Sequence, residues 1–424
     1  MANCRQTEVV ASDGRILQNT YTNWGPRLGI AYRITPNTAI RTGFGIFYDN
    51  WAGYAQRAQS IGGNWPDQAL IINTNLNHPT ASQLTPNTTI YNPIGSNIPA
   101  ASPFQRVQRY FDPAIQDPYS IQWNFDIQHQ FGANTLLDVA YVGSGSRRLS
   151  LADYTNVALT PGPGSPVLRQ PYPNIHATYY ETDAGRSSYN ALQVQFARRF
   201  SGGLQYQISY TRSKSIDLGC SGFFGVEGCS VQDPYHTNLD RGVSGFDLTH
   251  ILSASILYQL PIGKGKLLST GNRVADYILG NWQINTLTTA RSGTPYTITY
   301  SSDTGNTGNL AVRPNVVGDP VLSNPTPQRW FNTAAFAPPA LYTFGTLGRN
   351  ALRTQPFWNI DLSLFRQFPF GENRMVEFRA EAFNAPNTVI YGTPGNTYGV
   401  PAFGVVSSTA NTPRELQLGL KIVF

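Results

Sequence analysis

Charged residues and long apolar runs are both scarce in this chain of 424 residues. Asp, Glu, Lys and Arg together make up 13% of it, which is about half the usual share of a globular domain. No apolar stretch approaches the ~20 residues that a spanning helix needs, and this excludes a helical membrane protein. The N-terminal segment MANCRQTEVVASDGR contains no apolar h-region, so the sequence predicts no signal peptide.

Lysine and cysteine are also few. Four Lys stand against 26 Arg, the net charge is +6, and no block of five like charges occurs. Scattered charge of this kind does not favour a polyanion-binding patch, so nucleic acid is not an expected partner. Of the three cysteines, Cys220 and Cys229 lie in one long link and would close a loop disulfide in an oxidising compartment, which leaves Cys4 over. A zinc site would need two further ligands, and His236 is alone.

Glycine, proline and aromatic residues are plentiful instead. The chain has 39 Gly and 30 Pro, which disfavour a helix-rich protein. Its 23 Tyr, 22 Phe and 7 Trp are too many for a disordered chain that buries little apolar surface. An all-β protein remains.

Strict alternation of apolar and polar residues is the strongest local pattern. In YSIQWNFDIQ (119–128), every second side chain is apolar, as expected for a strand with one apolar and one polar face. Most such segments have the ~9–11 residues that a membrane-spanning strand needs. About eleven strands are predicted, at 24–34, 38–48, 119–130, 135–143, 188–199, 204–213, 248–259, 281–291, 356–366, 374–384 and 414–424.

Short and long links alternate between these segments. The links after 34, 130, 199 and 366 are short, those after 48, 143, 213, 291 and 384 are long, and 260–280 falls on the short side. Short turns at one end and long loops at the other are typical of an outer-membrane barrel. We therefore predict an antiparallel transmembrane β-barrel wall. The alternative is a secreted all-β array with irregular loops.

One strand carries a charge pattern of its own. In RMVEFRAEAF, Glu377, Arg379 and Glu381 fall on the polar face, two residues apart. Such a ladder is tolerated in a wet lumen and costly against lipid. It either holds neighbouring strands in register or contributes to a ligand site.

Patterns that indicate catalysis are weak. The chain has no G-x-S-x-G elbow, no H-E-x-x-H helix motif and no P-loop, so we predict neither an enzyme nor a cofactor. Asp233, His236 and Asp240 in DPYHTNLD could bind a cation, although polar loops supply such sets by chance. No metal site is predicted from them.

Four longer segments stand out, namely NWGPRLGIAYRITPNTAIRTGFGIFYDN (24–50), YNALQVQFARRFSGGLQYQISYTRSKSID (189–217), NWQINTLTTARSGTPYTIT (281–299) and FRAEAFNAPN (378–387). They resemble segments of TonB-dependent receptors, most closely those of the Oar-like group with a carboxypeptidase-regulatory-like domain. The resemblance implies a 22-strand barrel, of which residues 24–424 are the incomplete C-terminal half with about 11–12 strands. We expect residues 1–23 to be a poorly defined N-terminal segment, a remnant of a loop or strand.

The resemblance also implies a location and a function. We expect a bacterial outer-membrane barrel that contacts lipid and lipopolysaccharide, and that takes up an unknown small molecule, glycan or peptide through its extracellular loops. The TonB system would act through a plug and contact segment outside this sequence. A structural or secretion-related surface barrel without import is the alternative, and a passive porin is a third reading. The last strand resembles the signal for the outer-membrane insertion machinery, with Leu418, Leu420, Ile422 and Phe424.

Overall fold

Eleven long strands form one sheet in the computed structural model, which describes residues 20–49, 108–112, 114–172, 178–218, 231–263, 265–269, 271–309, 311–370 and 374–424. Each long strand is hydrogen-bonded to the strands before and after it, always antiparallel. They are β1 (Arg27–Thr35), β2 (Thr38–Tyr48), β3 (Tyr119–Phe131), β4 (Thr135–Tyr154), β5 (Thr178–Ser201), β6 (Leu204–Leu218), β7 (His250–Gln259), β8 (Trp282–Arg291), β9 (Phe357–Pro369), β10 (Met375–Phe383) and β11 (Glu415–Val423). The predicted continuous antiparallel sheet is confirmed.

The sheet is open. Among the described residues β1 pairs only with β2, and β11 pairs only with β10. Both ends of the strand order are therefore exposed edges, as expected for an incomplete barrel. All nine residues of β1 are exposed.

The two faces of the sheet follow the alternation of the sequence. On β11 the apolar side chains Leu416, Leu418 and Leu420 are 76%, 76% and 68% exposed. Apolar residues lie opposite apolar residues on neighbouring strands: Phe44 pairs with Trp123, and Ile40 with Ile127. The outcome is a face of exposed apolar side chains, hereafter the apolar face, and an opposite polar face.

Three strands extend well beyond their predicted limits, and one of them, β6, continues from 213 to Leu218. β4 continues to Tyr154 and β5 begins at Thr178, so the expected link 144–187 is reduced to 155–177. Gly143, Gly145 and the serines around them hide this extension in the sequence, because they break the apolar alternation. A bulge in the β4–β5 pairing between Ser146 and Leu149 adds to the irregularity.

Shorter elements fill the links. The segment Gln108–Phe111 pairs in parallel with β5, which is an exception to the antiparallel pattern, and Gly242–Val243 pairs with β6. Three two-residue pairs join loops: Pro295–Tyr296 with Leu352–Arg353, Thr299–Tyr300 with Thr397–Tyr398, and Asn315–Val316 with Phe336–Ala337. Single 3-10 turns occur at Pro166–Arg169, Thr237–Asp240 and Thr333–Ala335.

One short α-helix, Arg273–Leu279, lies in the link between β7 and β8 and was not predicted. The Asn272 side chain caps it by accepting from the backbone N–H groups of Val274 at 2.9 Å and Ala275 at 3.2 Å. Within the described residues no helix has the length and apolar character to cross a membrane.

Candidate functional site

The long links pack together at one end of the sheet. We call the described residues of the links 155–172, 231–249, 292–356 and 384–414 the loop cluster. Its centre is aromatic, since Phe403 lies edge-on to Phe331, Phe336 and Tyr398 with ring centroids 5.0, 5.7 and 5.4 Å away. Ile298 beside them is fully buried. These loops therefore have a hydrophobic core of their own.

Three arginine–aspartate pairs join the loop cluster to itself and to β6. Arg313 pairs with Asp240, Arg349 with Asp217 of β6, and Arg353 with Asp247. The first two pairs are almost entirely out of water: their side chains are at most 10% exposed. Because an unpaired charge at such depth is costly, each pair fixes the position of the loop that carries it.

These arginines also donate hydrogen bonds to backbone carbonyls of the loop cluster. Arg349 donates through Nε to the Asp240 carbonyl at 3.0 Å, so it contacts two of the aspartates. Arg313 donates through Nε to the Leu347 carbonyl at 2.8 Å. The guanidinium groups thus link β6, residues 231–249 and residues 292–356 into one network.

Amide side chains connect the remaining loops. Gln232 donates to the Gly345 carbonyl at 3.1 Å and accepts from the Arg313 backbone N–H at 3.0 Å. Asn306 donates to the Gly162 and Gly164 carbonyls at 2.9 and 2.7 Å, which attaches the 155–172 link. Buried backbone carbonyls between these loops are satisfied by side chains instead of by a sheet.

The loop cluster lies against the polar face of β6. Ser213 donates to the Leu248 carbonyl at 2.8 Å, and the Ser215 hydroxyl lies 2.8 Å from that of Ser244. The backbone N–H of Ser215 donates to Asp247 at 2.6 Å. The polar face is thus covered by loops at this end of the wall.

Nearer the short-turn end, the same face carries an open groove that both polar and apolar side chains line. A cavity of about 380 Å³ lies over β6 to β10. Asp361 on its wall accepts from the Asn359 amide and from the Asn384 backbone N–H, both at 2.8 Å. The polar side chains that line the groove are Gln205, Gln207, Ser255, Asn285, Asp361, Ser363 and Glu381. Carboxylates and amides together can bind hydroxyl, amide or cationic groups.

The predicted charge ladder lies on the same face of β10, and one of its three residues reaches the groove. Arg379 pairs with Glu377, which also accepts from the Gln367 amide at 2.9 Å. Glu381 lies opposite Ser363 and Gln417 and lines the groove. The structure brings the first two residues into contact and leaves Glu381 facing the cavity. A role in strand register or in ligand binding stays a prediction.

The other predicted residues lie elsewhere. Leu418, Leu420 and Ile422 follow one another on the apolar face of β11, with Phe424 next to its end at 94% exposure. Their role as an assembly signal is not tested by their position. Cys220 and Cys229 lie outside the described residues.

The possible cation ligands are separated. His236 contacts Asp233, with Nδ1 and Oδ2 2.8 Å apart, whereas Asp240 pairs with Arg313. The described residues contain no group of three or more His, Cys, Asp or Glu suited to a metal ion. Asp240 and Asp247 instead pair with Arg313 and Arg353 of the loop cluster, and these pairs were not predicted from the sequence. Nothing in the local sequence marks Arg313, Arg349 or Arg353, since their partners lie 73 to 132 positions away.

Two tyrosines in the loop cluster have perturbed acidity. Burial raises the pKa of Tyr235, whose hydroxyl lies 2.5 Å from the Thr155 carbonyl and 2.8 Å from the Val157 carbonyl. Burial also raises the pKa of Tyr296, which packs in the aromatic core. The Tyr235 hydroxyl donates to these two carbonyls, and the Tyr296 ring packs in the core.

The pattern of an open, alternating wall with a loop cluster at one end agrees with a family match over nearly the whole chain. Residues 3–417 match the model of the outer membrane beta-barrel domain. The chain belongs to this family. An outer membrane beta-barrel domain resides in the bacterial outer membrane, so the apolar face contacts lipid and the polar face lines the lumen.

Three solved outer-membrane proteins are among those similar to this chain. The outer membrane transporter YddB from Escherichia coli is 10% identical with a TM-score of 0.46, and the match covers 92% of this chain and 39% of that one. The ferripyoverdine receptor of Pseudomonas aeruginosa is 9% identical with a TM-score of 0.44, covering 94% and 33%. The siderophore receptor PiuA from Acinetobacter baumannii is 9% identical with a TM-score of 0.42, covering 94% and 35%. The chain spans 33–39% of the length of these structures. No curated protein matches this sequence.

Proposed function

We propose that this outer membrane beta-barrel domain is the C-terminal barrel portion of a TonB-dependent receptor of the Oar-like group. It binds a small molecule, glycan or peptide on its extracellular loops for energy-coupled uptake. The proposal rests on the loop cluster, whose arginine–aspartate pairs hold 231–249 and 292–356 against β6. A preformed loop surface lowers the entropic cost of binding a ligand.

The lumenal groove supports the same proposal. Glu381 and Asp361 face this groove, on the same side of the wall that the loop cluster covers at its long-loop end. A substrate released from the loops would meet hydrogen-bonding groups along its path inward. The Oar-like assignment itself rests on the segments at 24–50, 189–217, 281–299 and 378–387.

The test compares wild-type cells with cells lacking the gene, each with and without a protonophore. Labelled ferric chelates, oligosaccharides and short peptides are the probes, and accumulated label is measured. We expect one probe class to lose its protonophore-sensitive accumulation in the deletion strain. Expression of a Glu381→Gln, Asp361→Asn variant should restore surface binding of that probe with reduced accumulation.

Two outcomes would contradict the proposal. Accumulation that depends on the gene but not on the proton gradient would indicate a passive barrel. Unchanged accumulation of every probe, together with altered cell-surface properties, would indicate the structural or secretion-related alternative.

A further inference from the structure

Three arginines converge on the apolar face of the wall, where a lipid-facing barrel carries few charges. Arg147 of β4, Arg186 of β5 and Arg241 line a pocket of about 240 Å³ with Ser187, Ser188 and Ile216. We propose that this pocket binds the phosphate groups of lipopolysaccharide in the outer leaflet. The inference goes beyond the receptor proposal, because it requires only the location of the barrel in the outer membrane.

Strand register places the pocket on the lipid side. Arg147 lies opposite Tyr119, at the end of the row of apolar residues on β3. A Cβ built on Gly145, which belongs to the same face, would lie 3.8 Å from Nη1 of Arg147. On β5, Arg186 follows the same alternation as the exposed Leu192.

Besides β4, β5 and β6, the short strand Gly242–Val243 borders the pocket. Val243 lies opposite Ile216, and Ile216 lies opposite Ser188. Arg241 precedes this strand and is exposed. The pocket thus spans three long strands and the first residues after the Thr237–Asp240 turn.

Its height matches the head-group layer. Arg147 is twelve residues from Thr135 at the short-turn end of β4, or about 40 Å along the strand. A tilt of ~40° reduces this to about 30 Å above that end, which is the thickness of the hydrocarbon core. The arginines therefore leave the hydrocarbon at the end where the loop cluster lies, and that end faces the outer leaflet.

The alternation of the strands separates the charges by face. Asp217 follows Ile216 and turns to the polar face, where it pairs with Arg349. Asp240 precedes Arg241 and pairs with Arg313 in the loop cluster. The carboxylates of Asp217 and Asp240 are therefore paired on the polar side of the wall and do not neutralise the pocket arginines.

Within the described residues, the side chains of Arg147 and Arg186 donate to neutral groups. Nη1 of Arg147 donates to the carbonyls of Ser146 at 2.9 Å and Ser187 at 3.3 Å, and Nη2 of Arg186 donates to Oδ1 of Asn238 at 2.5 Å. In the described part of the chain none of the three forms a salt bridge with a carboxylate. Three positive charges around one small pocket favour the binding of an anion. A guanidinium group can donate two parallel hydrogen bonds to two oxygens of one phosphate.

The source of the phosphate follows from what surrounds the pocket. Ile216 forms part of its wall, and exposed Tyr141 and Leu192 continue the same face toward the membrane centre. A ligand with acyl chains below its phosphates would cover these apolar side chains. A free phosphate would leave them uncovered, so the lipid is the occupant that fits.

The experiment uses the full-length protein extracted from outer membranes in detergent. The variant is Arg147→Gln, Arg186→Gln, Arg241→Gln. The matched control is Lys266→Gln, Arg329→Gln, Arg414→Gln, which removes the same charge from exposed positions elsewhere. The probes are fluorescent lipopolysaccharide, dephosphorylated lipid A and inorganic pyrophosphate. Heat-modifiable migration shows that each variant is folded.

We expect the pocket variant to bind lipopolysaccharide at least tenfold more weakly than wild type, and the control to bind as wild type. Dephosphorylated lipid A should bind wild type at least tenfold more weakly than the phosphorylated lipid. Should the glutamine variant fail to fold, the Arg147→Lys, Arg186→Lys, Arg241→Lys variant keeps the charge. It should bind two- to fivefold more weakly, because the paired hydrogen bonds are lost.

Three results would overturn the proposal. These are equal loss in pocket and control variants, equal binding of the dephosphorylated lipid, and binding of pyrophosphate as tight as that of lipopolysaccharide. The last would assign the pocket to a free anion. Wild-type affinity in the lysine variant, with the glutamine variant unfolded, would also count against the guanidinium pairing.

Discussion

The apolar face of the wall and the loop cluster distribute the same classes of side chain in opposite ways. On β11, leucines such as Leu416 and Leu418 are about three-quarters exposed, whereas in the loop cluster Ile298 is fully buried and Asp240 is 1% exposed. Backbone ladders join the strands of the wall, and lipid is needed to cover its apolar surface. The loop cluster has a solvent-facing exterior and must cover its own apolar and charged groups.

The largest expected effect concerns the buried charges of the loop cluster. Arg349→Met leaves the Asp217 carboxylate buried without its cation, and should lower the free energy of unfolding of the loop cluster by about 3–5 kcal/mol. Limited proteolysis in increasing urea measures this, with heat-modifiable migration as the readout for the wall. The matched change Arg329→Met, at an exposed arginine of the same link, should have little effect.

A double variant sharpens that result. Asp217→Leu combined with Arg349→Met replaces both charges with apolar groups and should recover most of the loss. If the single variant were as resistant to protease as wild type, the pair would not anchor the loops. If the wall unfolded with the loops, the two regions would not be separate in stability.

An intermediate effect tests the faces of the wall. Leu418→Arg places a charge against lipid near the middle of β11 and should cost about 2–4 kcal/mol. Gln417→Arg points the same charge into the lumen opposite Glu381 and should change stability by less than about 0.5 kcal/mol. Urea unfolding in lipid vesicles measures both. Equal costs would mean that the faces are assigned wrongly.

The smallest effect concerns pH. Burial raises the pKa of Tyr296. Its contribution to stability is therefore present below about pH 10, the pH at which half of the unfolded tyrosine is ionised, and is lost as the pH rises further. Tyr296→Phe removes this dependence, and the protease resistance of the loop cluster should fall less steeply above pH 10. At pH 8 the variant should stay within about 1 kcal/mol of wild type. A steeper alkaline loss in the variant would contradict the assignment.

Most of the wall could be predicted from the sequence, because its physics is local. Along a strand such as β3, apolar and polar side chains alternate. A shift by one residue would turn the polar side chains toward lipid, so the alternation is strict. All eleven predicted segments are strands. The parts of β4 and β5 nearest the loop cluster were not predicted, because Gly143, Gly145 and their serine neighbours interrupt the alternation of apolar and polar residues.

The loop cluster could not be predicted, because its contacts are long-range and follow no period. Arg349 and Asp217 are 132 positions apart, and each is unremarkable among its neighbours. The three arginines of the lipid-side pocket illustrate the same point, since scattered charge in the sequence becomes a cluster once β4, β5 and β6 are side by side. Absence of a charge block therefore does not exclude a charged surface.

The number of strands fixes the direction of the two open edges. Ten antiparallel steps lead from β1 to β11, and an even number of reversals returns the chain to its first direction. β1 and β11 consequently point the same way, so joining them directly would create a parallel seam. A wall closed by antiparallel ladders throughout takes an odd number of additional strands between these edges, and this parity constrains any partner segment that completes the barrel.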